Sequence, residues 1–178
     1  MKVGETQQST YKHWFEGKGW HCFPFQQQCA DAYWAGKSGL LNAPTGSGKT
    51  YALALPAMLE HKFNCKEKKG LYLLWITPLK ALSADIRNAI QTAADELLTG
   101  WTVGLRNGDT DNAERAKQKR NMPQCLVITP ESLHVLLASK GYTDIFSRLG
   151  AVVVDEWHEL LGSKRGVQVE LALSRLRA

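Results

Sequence analysis

Residues 43–50 have the types and spacing of a loop that binds phosphate. Gly46 and Gly48 let the backbone turn tightly and direct successive N–H groups toward phosphate oxygens. Lys49 is placed to reach the β- and γ-phosphates of a nucleotide, and Thr50 offers a hydroxyl group to Mg²⁺. A glycine- and serine-rich surface turn is the alternative, but it does not explain the whole pattern. The predicted nucleotide-binding residues are Thr45, Gly46, Ser47, Gly48, Lys49 and Thr50.

A second group that could do chemistry is the carboxylate pair Asp155 and Glu156, which follows an apolar run at residues 151–154. In a phosphate-loop enzyme, one such carboxylate holds Mg²⁺ and its neighbour orients the attacking water. We expect Asp155 to bind the metal opposite Thr50 and Glu156 to polarise water for cleavage of the γ-phosphate. Capping of the next helix is the alternative, and without the phosphate loop it would be preferred.

These residues must be positioned by strands and helices, and short apolar runs do alternate with helical patterns along the chain. Such alternation predicts an α/β fold with a mostly parallel sheet, whose ligands gather at the carboxyl ends of the strands. The predicted strands are residues 40–41, 71–76, 101–106, 125–128 and 151–154. The predicted helices are residues 26–34, 51–61, 79–98 and 112–121, one that begins at residue 130, and one at residues 165–177.

Composition adds limited information about function and compartment. The chain has 178 residues, which suits one domain, and its net charge of +5 is compatible with nucleic-acid binding. It has no apolar run of about 18 residues and no signal-peptide pattern after Met1, so we expect a soluble protein of the cytosol or nucleoid with no membrane partner. The four cysteines lack metal-site spacing. We expect free thiols, with a metal site at His21, Cys22 and Cys29 as the alternative.

The N-terminal part offers one candidate for recognition of the base. Residues 1–12 are polar and are expected to be loosely held, and the aromatic residues that follow are expected to pack. Gln26 stands seventeen residues before Ala43. Its amide could both donate to and accept from an adenine edge.

Together these motifs resemble the first RecA-like domain of the superfamily-two DExH-box helicases. The phosphate loop is similar to motif I of that family, and residues 155–158 (Asp-Glu-Trp-His) are similar to motif II. The resemblance implies a three-layer RecA-like fold, ATP and Mg²⁺ as cofactors, and an adenine contact for Gln26. It also implies catalytic roles for Lys49, Asp155, Glu156 and His158.

Two turns that contain proline extend the resemblance. Residues 77–82 look like motif Ia and residues 129–132 look like motif Ib, which contact the nucleic-acid backbone in the family. Turns that end strands are the alternative, and they explain the prolines but not the spacing and order. The implied nucleic-acid contacts are Pro78, Lys80, Gly108, Asp109, Thr110, Thr129, Pro130 and Ser132.

Residues 106–110, 131–133 and 155–168 narrow the resemblance to Lhr-type helicases, and within them to the ligase-associated DExH-box branch. The resemblance implies ATP-driven movement on single-stranded nucleic acid, DNA rather than RNA, a role in repair, and a DNA ligase or other repair enzymes as partners. A small-molecule kinase is one alternative, but it needs neither Glu156 nor the two Thr-Pro turns. A non-catalytic nucleic-acid-binding module is another, but it need not keep Lys49 and Asp155.

The chain departs from the family pattern at two places. Trp14, Phe15 and Trp20 are all candidates for the aromatic residue that stacks on adenine. Motif III and the second RecA-like domain, which supplies arginine fingers, are absent from the sequence. We therefore expect a fragment truncated before the motif III strand, with two strands lacking partners, that binds ATP but hydrolyses it poorly. Its predicted parts are an N-terminal extension, residues 1–19, and an incomplete RecA-like domain, residues 20–178.

Overall fold

The structure, a computed structural model, describes residues 3–177, with side chains from residue 7 onward. They form two compact units. The first unit contains the chain up to Lys68 together with Ala89–Trp101, and the second contains Lys69–Asn88 together with the chain from Thr102 onward. Within the described residues, none of the helices combines the length and the apolar character that crossing a membrane requires.

The first unit is helical and packs around aromatic side chains. Its helices are α1 (Val3–Gly17), α2 (Pro24–Trp34), α3 (Lys49–Asn64) and the C-terminal half of α4 (Lys80–Glu96). The expectation that residues 1–12 are loosely held is wrong for residues 7–12, which lie in α1 and include the buried Gln7 and Tyr11, whereas Met1 and Lys2 lie outside the described residues. Tyr11, Trp14 and Phe15 are buried, and their spacing places them on one face of α1. Burial of that face explains why a mostly polar segment is helical.

The second unit contains a four-stranded parallel sheet. Its strands are β1 (Leu73–Ile76), β2 (Val103–Arg106), β3 (Cys125–Ile128) and β4 (Ala151–Val154), in the order β2-β3-β1-β4. Every residue of β1 and β3 is buried, as expected for continuous apolar runs in the centre of a parallel sheet. The predicted α/β fold with a parallel sheet is confirmed.

The N-terminal half of α4 and five further helices complete the second unit: α5 (Asn112–Arg120), α6 (Pro130–Leu137), α7 (Tyr142–Phe146), α8 (Trp157–Leu160) and α9 (Lys164–Arg177). The polar helix α5 was predicted, and Asp111 caps it by accepting a hydrogen bond from the Glu114 backbone N–H at 2.7 Å. Helices α6 and α9 pack together over the core that β1 and β3 share. The carboxyl ends of the strands are thus joined to helices at short turns.

The strand predicted at residues 40–41 is not formed. Residues 37–44 adopt neither helix nor strand, and Leu40 is 83% exposed. A parallel strand needs a neighbour for its backbone N–H and C=O groups, and no strand among the described residues pairs with this segment. At the other end of the chain, β4 pairs with β1 and with no other strand of the described residues, and its side chains are only half-buried.

Candidate functional site

The phosphate loop ends at the N-terminus of α3, in the first unit. Gly46 and Gly48 both adopt the left-handed conformation, with φ of 79° and 84°. Gly48 is the N-cap residue, and no side chain caps the helix there. The first N–H groups of a helix have no partner within it, and they carry the positive end of the helix dipole. This arrangement fits a chain of phosphate groups.

Side chains of the phosphate loop bond within the loop itself. The Lys49 ammonium group donates to the carbonyl oxygen of Ala43 at 2.9 Å, and the Ser47 hydroxyl group donates to that of Pro44 at 2.7 Å. Thr45 is exposed, and Thr50 is half-buried in the first turn of α3. Lys49 therefore spans the loop, where a phosphate oxygen could replace its carbonyl partner.

Gln26 lies beneath the loop and is only 2% exposed. Its amide Nε2 donates to the carbonyl oxygen of Gly48 at 3.3 Å, and its Oε1 accepts from the Phe23 backbone N–H at 2.9 Å. Tyr11 donates its hydroxyl proton to the Gln26 carbonyl oxygen at 3.0 Å. Gln26 therefore positions the phosphate loop, and its contact with adenine stays a prediction.

The three aromatic candidates for adenine stacking differ in exposure. Trp14 and Phe15 are buried, whereas Trp20 is 47% exposed and its ring centroid lies 5.8 Å from that of Tyr51, the residue after Thr50. Phe23, which the sequence reasoning did not single out, is 48% exposed and directly precedes α2. Its position three residues before Gln26 could have identified it as a candidate from the sequence. Exposure favours Trp20 and Phe23 over the other two rings.

Asp155 is held firmly at the end of β4, in the second unit. Its backbone N–H donates to the Ile76 carbonyl oxygen at 2.8 Å, which continues the ladder between β4 and β1. The indole N–H of Trp75 lies 3.4 Å from Asp155 Oδ2, and the Glu156 backbone N–H donates to Oδ1 at 3.0 Å. These two donors orient the carboxylate.

Glu156 has a left-handed backbone, with φ and ψ both 47°, which is unusual for a residue other than glycine. Such a conformation costs about 1–3 kcal/mol, and it often marks functional positions. Glu156 is the N-cap residue of α8, but its side chain makes no capping hydrogen bond. The carboxylate instead lies 3.5 Å from His158 Nδ1, and His158 Nε2 lies 3.3 Å from a carboxylate oxygen of Glu159. The capping alternative therefore does not describe this side chain.

The segments predicted to contact nucleic acid meet where β1, β2 and β3 end. The Thr129 backbone N–H donates to the Arg106 carbonyl oxygen at 3.2 Å, which joins the ends of β3 and β2. Lys80 and Asp109 form an ion pair with each other. These contacts bring together the segments that carry all eight predicted residues: Pro78, Lys80, Gly108, Asp109, Thr110, Thr129, Pro130 and Ser132.

Sequence reasoning gave no role to three arginines at this place: Arg106, Arg115 and Arg165. Arg106 and Arg115 line a cleft with Gly108, Glu131, Ser132 and Val135. Arg115 donates to the carbonyl oxygens of Thr110 at 2.9 Å and Asn107 at 3.2 Å. A charged residue at the carboxyl end of an apolar strand was a signal for Arg106.

The third of these arginines is Arg165, which joins the two proline turns. Its Nε donates to Glu131 Oε1 at 2.6 Å, and its Nη1 lies 3.4 Å from the Pro78 carbonyl oxygen. No local pattern identifies this role, because its partners are distant in the sequence.

Neither cysteines nor carboxylates form an all-protein metal centre in the part of the chain that the structure describes. There, no group of three or more His, Cys, Asp and Glu side chains could hold an ion, and this includes the alternative site at His21, Cys22 and Cys29. The four cysteines are free thiols.

The sequence profile of the DEAD/DEAH box helicases matches residues 23–178 of the chain. The chain therefore belongs to the DEAD/DEAH box helicase family.

Within that family, the chain is similar to Lhr helicases. It is 38% identical over 156 residues to the Lhr helicase/uracil glycosylase of Escherichia coli, covering 78% of this chain and 10% of that protein. It is 33% identical over 179 residues to the ATP-dependent helicase Lhr-Core protein 2 of Thermococcus barophilus, covering 93% of this chain and 21% of that protein. The chain thus spans about a tenth to a fifth of the length of these relatives.

A solved structure gives the same family likeness. The helicase Lhr of Mycobacterium smegmatis, bound to ssDNA and AMP-PNP, is 32% identical and superimposes with a TM-score of 0.81. The match covers 94% of this chain and 22% of that chain. The RecA-like fold implied by the sequence is confirmed, and the narrower assignment to the ligase-associated branch stays a prediction.

Proposed function

We propose that this chain is the first RecA-like, ATP-binding domain of an ATP-dependent helicase that moves along single-stranded DNA and unwinds duplexes. The observation that carries the proposal is the 32% identity, across 94% of the chain, to an Lhr helicase bound to ssDNA and AMP-PNP. In this proposal, residues 20–178 belong to the RecA-like domain, and residues 1–19 are an extension whose helix α1 packs on α3.

The phosphate loop is proposed to bind the phosphates of ATP. Backbone N–H groups from Gly46 to Lys49 would surround the phosphate oxygens, and the Lys49 ammonium group would exchange its Ala43 carbonyl partner for them. ATP supplies the free energy for movement, and Mg²⁺ neutralises its phosphates. The Thr50 hydroxyl group in the first unit and the Asp155 carboxylate in the second are each proposed as a magnesium ligand, with water and phosphate oxygens as the others.

Glu156 is proposed to orient and polarise the attacking water. The structure supports this role because the Glu156 side chain does not cap α8, although its backbone occupies the N-cap position. His158 lies beside the Glu156 carboxylate and would hold it in position. An arginine from a second RecA-like domain would stabilise the charge that develops during hydrolysis.

The ends of β1, β2 and β3 are proposed to hold the nucleic-acid strand by its phosphates. The candidate residues include the hydroxyl groups of Thr110, Thr129 and Ser132 and the ammonium group of Lys80. Such donors suit phosphate oxygens, so little sequence preference is expected. DNA rather than RNA, and repair with a DNA ligase as a partner, are the narrower parts of the proposal. The protein is proposed to act in the cytosol or nucleoid, where reducing conditions suit four free thiols.

The test measures the ATPase rate of the full-length protein without polynucleotide, with single-stranded DNA and with RNA. We expect DNA to raise the rate more than RNA does. Lys49→Ala should lower the rate about 10²- to 10³-fold, the usual cost of removing one preorganised donor to developing charge. Glu156→Gln should lower hydrolysis at least about 10²-fold while ATP binding is kept.

Exposed residues of the same type serve as controls, namely Lys37→Ala and Glu170→Gln, which should keep the wild-type rate. A rate that no polynucleotide changes would contradict the translocase proposal. Stronger stimulation by RNA would assign the chain to an RNA helicase instead.

A further inference from the structure

Helix α1 contains a tyrosine whose hydroxyl group is buried inside the first unit. Tyr11 is wholly buried, and its ring centroid lies 5.2 Å from that of Phe15 and 5.8 Å from that of Trp34. A phenylalanine would fill the same space if packing were the only role of this residue. A buried hydroxyl group is unfavourable unless it finds a hydrogen-bond partner. The partner of Tyr11 therefore indicates what the hydroxyl group does.

That partner is the backbone carbonyl oxygen of Gln26, to which the Tyr11 hydroxyl group donates at 3.0 Å. Burial raises the pKa of Tyr11 well above its ordinary value, so the hydroxyl group keeps its proton and remains a donor. The bond joins α1 to the first turn of α2. It fixes the piece of backbone from which the Gln26 side chain reaches the phosphate loop.

The Gln26 side chain transmits this position to Gly48 with little free space. Its Oε1 accepts from the Phe23 backbone N–H at 2.9 Å, and its Nε2 donates to the Gly48 carbonyl oxygen at 3.3 Å, so both ends of the amide are occupied. A Cβ atom built on Gly48 would lie only 2.6 Å from Nε2. A shift of the Gln26 backbone would therefore displace or loosen the loop at the N-cap residue of α3.

Helix α1 also contacts the chain just after the phosphate loop. The ring centroid of Trp14 lies 4.9 Å from that of Tyr51, the residue after Thr50. Trp14 donates its indole N–H to Glu96 Oε2 at 3.0 Å, and Lys18 forms an ion pair with the same carboxylate at the C-terminal end of α4. Because α1 is fixed at several places, it can hold the loop in one geometry.

We propose that Tyr11 is a positioning residue for nucleotide binding, which holds the phosphate loop through Gln26. This inference rests on the proposed function, and it makes α1 part of the nucleotide site although Tyr11 precedes residues 23–178, which match the family profile. In this role Tyr11 touches no part of the nucleotide. It keeps the N–H groups of the loop directed at the phosphate oxygens before the nucleotide arrives. Such preorganisation raises affinity, because less ordering is needed on binding.

The test measures binding of a fluorescent, non-hydrolysable ATP analogue to the full-length protein by fluorescence anisotropy. Tyr11→Phe keeps the packed ring and removes only the hydroxyl group, so the Kd should rise about two- to tenfold, the usual effect of one hydrogen bond. The matched control is Tyr33→Phe, which removes the 2.5 Å bond from the Tyr33 hydroxyl group to Glu60 Oε2. That bond also joins two helices of the first unit, but Glu60 lies about three turns beyond the start of α3. The control should keep the wild-type Kd.

Three further measurements separate positioning of the loop from other roles. Tripolyphosphate has no base, and its affinity, measured by competition with the analogue, should fall in Tyr11→Phe by the same factor. In the ATPase reaction with single-stranded DNA, Tyr11→Phe should raise the KM for ATP and leave kcat nearly unchanged. With Gln26→Ala already present, Tyr11→Phe should have no further effect, since the link to Gly48 is then removed.

The results distinguish a failed inference from a failed function. Equal Kd values for Tyr11→Phe and Tyr33→Phe would overturn the inference, as would a loss of ATP affinity that tripolyphosphate does not share. An effect of Tyr11→Phe that persists in full beside Gln26→Ala would overturn the role through Gln26. Loss of folding in Tyr11→Phe would overturn it too, because the hydroxyl group would then be needed for the fold itself. A wild type that binds no ATP analogue would instead contradict the proposed function.

Discussion

The two units hold their candidate residues by different kinds of contact. In the first unit, neutral hydrogen bonds of Gln26 position the phosphate loop, and Gln26 is almost wholly buried. In the second unit, the residues predicted to contact nucleic acid are held partly by ion pairs. The side chains of the pair between Arg165 and Glu131 are about half exposed, and those of the pair between Lys80 and Asp109 are more so.

This difference matches what each place is proposed to do. Buried neutral hydrogen bonds are little affected by salt, and they fix one geometry, which a loop around a phosphate chain requires. Exposed ion pairs are weak and screened, so a phosphate group can compete for their cations. A surface along which a strand advances needs contacts that exchange in this way.

Acid should lower the stability of the first unit, because this unit contains a buried neutral histidine, His61. Trp101 donates its indole N–H to His61 Nδ1 at 2.9 Å, and burial, then the charge of Lys68, lowers the pKa of His61 to about 4. The unfolded chain takes up a proton near pH 6.5, whereas the folded chain does so only near pH 4. Stability should therefore be complete above pH 6.5 and fall by about 3 kcal/mol by pH 4. Urea unfolding between pH 4 and 7.5 measures this loss.

His61→Asn is the informative variant, because the asparagine oxygen can accept the Trp101 hydrogen bond but does not titrate. This variant should remove the part of the stability loss in acid that protonation of His61 causes. His21→Asn, at an exposed position, should keep that part. Equal acid sensitivity in the two variants would show that the acid response does not originate at His61.

Alanine variants of the two glycines in the phosphate loop test how rigidly the buried Gln26 side chain fixes the geometry of the loop. Gly46 and Gly48 have similar left-handed backbones, so alanine at either position costs about 1 kcal/mol from strain. At Gly46 the added Cβ would meet nothing, but at Gly48 it would lie 2.6 Å from Gln26 Nε2. Gly48→Ala should therefore destabilise the chain by about 2 kcal/mol in urea unfolding, and Gly46→Ala by about half as much.

The excess cost of Gly48→Ala should disappear when Gln26→Ala is already present, since the clashing amide is then gone. If the two glycine variants lose equal free energy of unfolding, or if the excess loss of Gly48→Ala persists without the Gln26 amide, the Gln26 side chain does not hold the loop in place. The phosphate loop would then be less tightly positioned than its burial indicates.

Features set by local sequence could be predicted. The apolar runs of β1 and β3, the cap that Asp111 provides for α5, and the phosphate loop before α3 each depend on neighbouring residues. The helix α1 could also have been predicted, because Tyr11, Trp14 and Phe15 repeat at helical spacing. The polar residues between them obscured that pattern.

Features set by distant residues could not be predicted. Residues 40–41 look like a strand, but strand formation depends on a partner that the two residues do not specify. Arg165 bonds to the Pro78 carbonyl oxygen across 87 positions of sequence, and Lys80 was predicted to bind nucleic acid although it pairs with Asp109. Motifs identified which residues matter, whereas their pairings required the fold.

Removal of the Arg165 ion pair should change stability least of all these variants. It tests whether the contacts of the second unit are weak and exposed. Arg165→Ala removes the bonds to Glu131 and to the Pro78 carbonyl oxygen, so we expect a loss of about 0.5–1 kcal/mol in urea unfolding at low salt. Lys164→Ala removes an exposed neighbouring charge and should cost less. Arg165→Lys keeps the charge but loses the planar geometry, and it should recover only part of the loss.

A double-mutant cycle with Glu131→Gln isolates the pair itself. Because both side chains are about half exposed, the coupling free energy should fall toward zero between about 50 mM and 500 mM salt. A coupling that salt leaves unchanged would mean that the pair is shielded from solvent. The proline turns of the second unit would then be fixed as rigidly as the phosphate loop of the first, and a moving strand could not exchange with the cation.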